Sequence, residues 1–217
     1  MPRKSDSHRE TEVKLVVKDV AAMVEKLRSA GLKPLGRVLE QNSVFDTDDE
    51  DLRHRGRLLR LRTETPAPAS FAPGGAKRMV LTAKSPAPER PKTKSEGPYK
   101  ENIEREVILR APSRRGGRKR TLLDRGWPFA LGCIGMRSKF RYEKYRTSFH
   151  ARGVDVALDE TPVGAFLELE GSPEAIDRVA GELGFTARDY IRATYYELYA
   201  AERRRKGRAV RHMLFSR

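Results

Sequence analysis

The sequence predicts an α+β fold, a closed antiparallel eight-stranded β-barrel with a charged lumen and helices packed outside. Three observations lead there. Six segments suited to strands alternate charged with apolar residues, and the charged face of each is of one sign. Glu10, Glu12 and Lys14 share one face of a further strand, Thr11, Val13 and Leu15 the other. Two helix-like segments each follow an acidic strand and read as copies of one strand-helix unit. A sandwich would scatter mixed charges over its solvent faces. A closed sheet explains single-signed faces, because lumen and exterior positions alternate along every barrel strand and a wide lumen holds water and ligand. The outward Val and Leu residues then need helices to cover them.

The first strand, through Val17, shows only its wet side when read alone. Asp19 to Ala30 has an Asp cap, apolar Val20, Met23, Val24 and Leu27 at helical spacing, and a stop at Gly31. Strands follow at Leu58 to Arg62 with Arg60 and Arg62 facing together, Met79 to Lys84 with Lys84, and Ile103 to Leu109 with Glu104 and Glu106. The Pro, Gly, Ala and Lys-rich stretches Thr63 to Lys77 and Ser85 to Lys100 are expected to be long flexible hairpin loops, and Arg114 to Arg120 adds another basic, Gly-containing stretch. An apolar segment from Leu122 to Ile134 precedes the strands Phe140 to Phe149 with Lys144 and Arg146, Val154 to Asp159 with Asp159, and Ala165 to Glu170 with Glu168 and Glu170. Pro173 to Leu183, capped by Ser172 and stopped by Gly184, repeats the first helix. A third helix is expected from Tyr190 to about Lys206, covering the barrel or plugging one mouth.

Residues 1–8 are expected to form a flexible N-terminus, 9–202 the barrel domain, and 203–217 a basic tail, dispensable for chemistry, in which only Met213, Leu214 and Phe215 could dock. No apolar run reaches the roughly 20 residues that span a bilayer, and the N-terminus has no signal-peptide stretch, so a cytoplasmic protein without membrane partner is expected. Cys133 is the only cysteine and stands in an apolar setting, which reads as a buried small hydrophobe. His8, His54, His150 and His212 lack metal-ligand spacing, which argues against zinc. The net charge of +15 would favour non-specific contact with nucleic acid. No recognition helix, zinc knuckle or aromatic-rich motif accompanies it, so nucleic acid is not the expected ligand, and a steering or solubilising surface is.

Glu10-x-Glu12-x-Lys14, Gln41-x-x-x-Phe45-Asp46-Thr47, Leu59-Arg60-Leu61-Arg62, Leu81-Thr82-x-Lys84, Lys144-x-Arg146, Leu158-Asp159-Glu160 and Gly164-x-Phe166-x-Glu168-x-Glu170 stand in the order seen in the CYTH family, which the chain resembles from Arg9 to about Tyr199. These are the triphosphate tunnel metalloenzymes, among them class IV adenylyl cyclases, thiamine triphosphatases and inorganic tripolyphosphatases. The resemblance implies magnesium or manganese held by Glu10, Glu12, Asp159, Glu168 and Glu170, with Glu104 and Glu106 as ligands or as supports for the basic residues. It also implies a catalytic group Glu10, Glu12 and Lys14. Relatives often carry arginine where this chain has Asn102, and Lys100 on the same face could compensate.

A triphosphate chain bears about four negative charges, so its site needs several fixed cations and a divalent metal. Lys14, Arg60, Arg62, Lys84, Lys144 and Arg146 supply the cations: arginine as a bidentate fork, lysine as a point charge. Bare carboxylates would repel such a ligand, whereas as oxygen ligands for magnesium or manganese they join protein to phosphate. The competing reading is a set of salt-bridge ladders across strands, at a desolvation cost. Attack by water on the terminal phosphorus hydrolyses tripolyphosphate, thiamine triphosphate or another small organic triphosphate. Attack by the ribose 3′-oxygen on the innermost phosphorus of ATP gives cyclic AMP and pyrophosphate. Hydrolysis is the first expectation, cyclase the second, and a non-catalytic polyphosphate-binding module the third. A homodimer is allowed and not specified.

Overall fold

A computed structural model describes residues 8–87, 98–109 and 122–216. Eight strands close a barrel: β1 (His8–Val17), β2 (Gly36–Asp46), β3 (Leu58–Pro66), β4 (Arg78–Pro86), β5 (Lys100–Leu109), β6 (Arg137–Ala151), β7 (Val154–Thr161) and β8 (Gly164–Glu170). Their order around the barrel is β1-β5-β4-β3-β2-β6-β7-β8, and every pairing is antiparallel. The expected fold class is the observed one.

Closure buries the lumen face of these strands and much of the outer one. On β1 the charged set Glu10, Glu12 and Lys14 is as hidden as the apolar Val13 and Leu15. The outward face of β1, β7 and β8 packs Leu15, Leu158, Leu167 and Leu169 under α1 (Val20–Ser29) and α4 (Pro173–Glu182), which bring Met23, Val24, Leu27, Ile176, Val179 and Ala180. Each fully buried leucine or isoleucine there contributes roughly 1.5–3 kcal/mol. The two helices are built alike. The Asp19 and Ser172 side chains accept from Ala22 and Ala175 N–H at 3.0 and 3.3 Å. Each helix ends on a left-handed glycine, Gly31 (φ 81°) or Gly184 (φ 83°), followed by Leu32 N–H to Leu27 or Phe185 N–H to Ala180, both 2.9 Å.

Several expectations are revised. The stretch after Arg62 is not a free loop: β3 continues to Pro66, and 67–77 folds back on β2, with Arg37 N–H donating to Pro73 at 2.7 Å and Gly75 N–H to Arg37 at 2.8 Å. A side chain at 75 would strike Val38 Cγ1 at 2.6 Å, so the approach requires glycine. A short helix, α2 (Asp51–His54), stands between β2 and β3, and Leu122–Ile134 forms α3 (Leu122–Cys133), whose Leu131 and Trp127 pack on Phe45, Leu61 and Met79. Cys133 is exposed rather than buried, because two residues beyond Leu131 a helix presents its other side. The expected third helix starts later, as α5 (Tyr195–Arg205), opened by the Thr194/Glu197 capping box. Ile191 instead exchanges backbone bonds with Lys14 at 3.1 and 2.8 Å, beyond the end of β5. Most of the Ser85 to Lys100 loop, at 88–97, the stretch Arg114 to Arg120, and residues 1–7 lie outside the described residues. Among those described, no helix is long and apolar enough to cross a membrane.

The C-terminal tail is part of the wall. β7 covers β6 only from Tyr145 onward, and Met213 takes up the stretch before it: its N–H donates to Arg141 and its carbonyl accepts from Glu143, both 2.9 Å. Met213 is 1% exposed, among Phe140, Tyr142 and Tyr199. Cutting after Arg203 would therefore remove a wall contact, so the tail expected to be dispensable is tied to the barrel through Met213. Met213→Ala should cost about 2–4 kcal/mol in urea unfolding, and a loss below about 0.5 kcal/mol would show that the tail is not a wall element.

Candidate active site

Strand alternation aims charged side chains from every strand into one cavity of about 720 Å³. Glu10, Glu12, Lys14, Arg60, Arg62, Lys84, Glu104, Glu106, Lys144, Arg146, Glu168 and Glu170 all line it. Asp159 is the one nominated residue set behind the surface, fully buried.

Asp159 is the centre of the basic half. Lys144 Nζ donates to Oδ2 at 2.7 Å, Arg146 forks onto both oxygens at 2.8 and 2.7 Å, and the Tyr195 hydroxyl from α5 donates to Oδ2 at 2.6 Å. Glu168 is held by Arg146 and by Lys14 at 3.3 Å. Glu40, fully buried, faces Arg62 at 3.3 Å and Lys144 and Arg146 at 3.6 Å. Burial alone would raise the Glu40 and Glu168 carboxyls; the surrounding cations outweigh it and hold both well below the usual range. Arg60 donates to Tyr142 Oη at 3.2 Å and Thr82 Oγ1 at 3.3 Å. Burial would raise the Tyr142 phenol, but Arg60, Lys144 and Arg62 bring it below its ordinary value.

Toward β5 the balance reverses. Glu10, Glu12, Glu104 and Glu170 share Lys84 and Lys100, with Lys14 divided between Glu12 and Glu168. Lys84 Nζ lies 2.5 Å from Glu10 and 2.9 Å from Glu104; Lys100 lies 3.0 Å and Lys14 3.2 Å from Glu12. Burial, reinforced by Glu10 and only partly opposed by Lys84, pushes Glu104 up to about 8. Burial with Glu10, Glu12 and Asp155 pushes Glu170 up to about 7. Glu12 goes the other way, to about 2, because Lys14 and Lys100 outweigh its burial.

Among the described residues no group of three His, Cys, Asp or Glu side chains is gathered tightly enough to hold a metal ion in this arrangement. The donor chemistry nevertheless fits a hard divalent cation. Carboxylate oxygens are the ligands magnesium and manganese take, and those of Glu104 and Glu170, whose protons are held by burial and by the carboxylates beside them, would release those protons to a cation bound there. The five carboxylates nominated from sequence divide here: Glu10, Glu12 and Glu170 stand in the crowded half, Asp159 and Glu168 among the cations.

Sequence reasoning missed Glu40, Asn42, Glu64, Tyr142 and Tyr195. Glu40 and Asn42 alternate with the named Gln41, and Glu64 continues Arg60 and Arg62 one step further, so the period of two could have found them. Tyr142 precedes Lys144 by the same step. Tyr195 enters from a helix, where no strand period applies.

The ligand-free protein should lose stability as pH rises from about 4.5 toward 8. The folded state keeps protons on Glu104 and Glu170 that the unfolded chain has released, so their stabilising contribution is whole below the unfolded value and is lost through the folded ones. Melting temperatures in metal-free buffer at about pH 5 and about pH 8 test this; a flat or rising profile would contradict the carboxylate crowding.

A sequence model of the CYTH domain matches residues 8–195. Among solved structures, a candidate adenylate cyclase from Vibrio parahaemolyticus has a TM-score of 0.64 at 17% identity, over 89% of this chain and 98% of its own. The PH1819 protein of Pyrococcus horikoshii OT3 has 0.64 at 22%, over 89% and 99%. HpAC1 of Hippeastrum, a candidate adenylyl cyclase with a dominant triphosphatase activity, has 0.53 at 22%, over 93% and 97%. At these identities the likeness is one of fold. No curated protein sequence matches the chain. The matched span runs through all eight strands that line the cavity, and the chain belongs to the CYTH family, the metal-dependent triphosphate tunnel proteins.

Proposed function

We propose that the chain is a triphosphatase that hydrolyses inorganic tripolyphosphate or a small organic triphosphate with magnesium or manganese. The observation that carries this reading is the division of one buried lumen into a cation-rich half and a carboxylate-crowded half. Arg60, Arg62, Lys144, Arg146 and Lys14 would bind the phosphoryl oxygens, from three strands at once. Arg60 is anchored by Thr82 and Tyr142, so its fork is oriented before ligand arrives. Glu10, Glu12 and Glu170 would hold the cation, with Glu104 beside them; Asp159 and Glu168 position Lys144, Arg146 and Lys14. When bound, the cation supplies Lewis-acid polarisation of a phosphoryl oxygen. The barrel wall excludes bulk water, which strengthens every charge contact inside. No protein nucleophile is required, since phosphoryl transfer rests on positioning and charge stabilisation.

Cyclase chemistry on ATP is the second reading. One observation favours it: the cavity reaches Val44, Leu58, Phe140 and Tyr196, an apolar and aromatic lining with room for an organic group. The dominant triphosphatase activity of HpAC1, itself a candidate cyclase, weighs toward hydrolysis. Incubation with tripolyphosphate, thiamine triphosphate and ATP separately, with product chromatography, decides between the two. Phosphate release is expected, with loss of turnover on chelation and recovery on adding magnesium or manganese; cyclic AMP with pyrophosphate would establish the second reading.

Glu170→Gln separates catalysis from folding. Removing a crowded carboxylate should leave the metal-free melting temperature unchanged or higher, while turnover falls by about two orders of magnitude or more, the scale of losing one group that stabilises the transition state. Wild-type turnover at saturating magnesium would remove Glu170 from the metal set.

A further inference from the structure

Asn102 on β5 is 8% exposed and lines the cavity, yet its Nδ2 has no hydrogen-bond partner. A buried amide left without a partner works against folding, so its retention calls for a partner that the ligand-free chain does not supply. Neighbouring acceptors are engaged with cations. Glu10, the cross-strand partner of Asn102 on β1, accepts from Lys84 at 2.7 and 2.5 Å. Glu104 faces the same Lys84 at 2.9 Å, and Glu12 takes Lys100 at 3.0 Å. Lys100, the residue that could have stood in for a cation at position 102, is thereby committed to Glu12. A second lumen donor, Arg60 Nε, is likewise buried without a partner, so two N–H groups in one cavity await acceptors.

We propose that Asn102 is a ligand residue of this site, its Nδ2 donating to a phosphoryl oxygen of the bound triphosphate chain. The assignment rests on the triphosphate reading. An N–H cannot ligate a metal; it needs an acceptor, and the acceptor-rich partner of a lumen built from cations and carboxylates is a phosphate chain. Neutrality suits the place. A second cation here would compete with Lys84 for Glu10 and Glu104, and a carboxylate would repel the chain.

Asn102→Leu keeps the volume and drops the donor; Asn102→Ala, smaller, guards against overpacking. Apo melting temperature and calorimetric affinity for tripolyphosphate with magnesium are measured on the full chain beside wild type. The expected result is an apo melting temperature unchanged or raised, with affinity weakened about tenfold or more, as for loss of a hydrogen bond to a charged group. Wild-type affinity in both variants overturns the assignment alone. A fall of several degrees in both also overturns it, because the amide then supports the fold. If wild type binds none of tripolyphosphate, thiamine triphosphate or ATP with magnesium, the triphosphate reading fails and the assignment with it.

Discussion

The structure depends on burying charges of both signs inside a closed sheet. Isolated, each of these carboxylates and ammonium groups would be costly to desolvate. Alternation along antiparallel strands solves this by arrangement: a cation on one strand meets carboxylates on its neighbours, as Lys84 on β4 meets Glu10 on β1 and Glu104 on β5. Closure then leaves the apolar positions outside, where α1, α3 and α4 cover them. The helices are thus a consequence of the charged lumen.

The ion pairs are the ones a ladder reading expects, so their presence alone does not separate scaffold from site. What separates them is imbalance. A ladder selected for stability would match its charges, whereas here Glu104 and Glu170 are driven up to about 8 and about 7 by burial and by one another's neighbours. Carboxyls held in that state lower the stability of the ligand-free chain near neutral pH, and a cation that binds there recovers it.

Legibility in the sequence followed the period of two. The lumen strands were readable because Glu10, Glu12, Lys14 or Glu168, Glu170 repeat every second residue, and the two helices because Asp19, Ser172, Gly31 and Gly184 punctuate them. Where a signal lay outside local periodicity, reading failed. Residues 67–77 look like a free loop by composition, yet Gly75 and Arg37 tie them to β2 through backbone contacts that composition does not encode. Ile191 fits a helical stripe, but a vacant edge of β1 captures it first. Met213 reads as part of a basic tail, and its place is set by β6 outrunning β7, a mismatch of strand lengths visible only in the register.

The two halves of the lumen also differ in how readily they can exchange partners. Asp159 receives four hydrogen bonds from three side chains, two of them an arginine fork, and is sealed beneath Tyr195. Releasing it would strand a fully buried charge, so this knot acts as framework and fixes Lys144 and Arg146 in place. Lys84 and Lys100 instead hold their carboxylates by single ammonium groups on flexible stems, at positions that line the cavity. On the proposed reading, a cation entering among Glu10, Glu12 and Glu170 would take over those carboxylates, and the lysines it displaced would be free to turn toward an anionic chain. Metal and anion would each provide what the other's partners give up, so on that reading their binding in this lumen would be thermodynamically coupled.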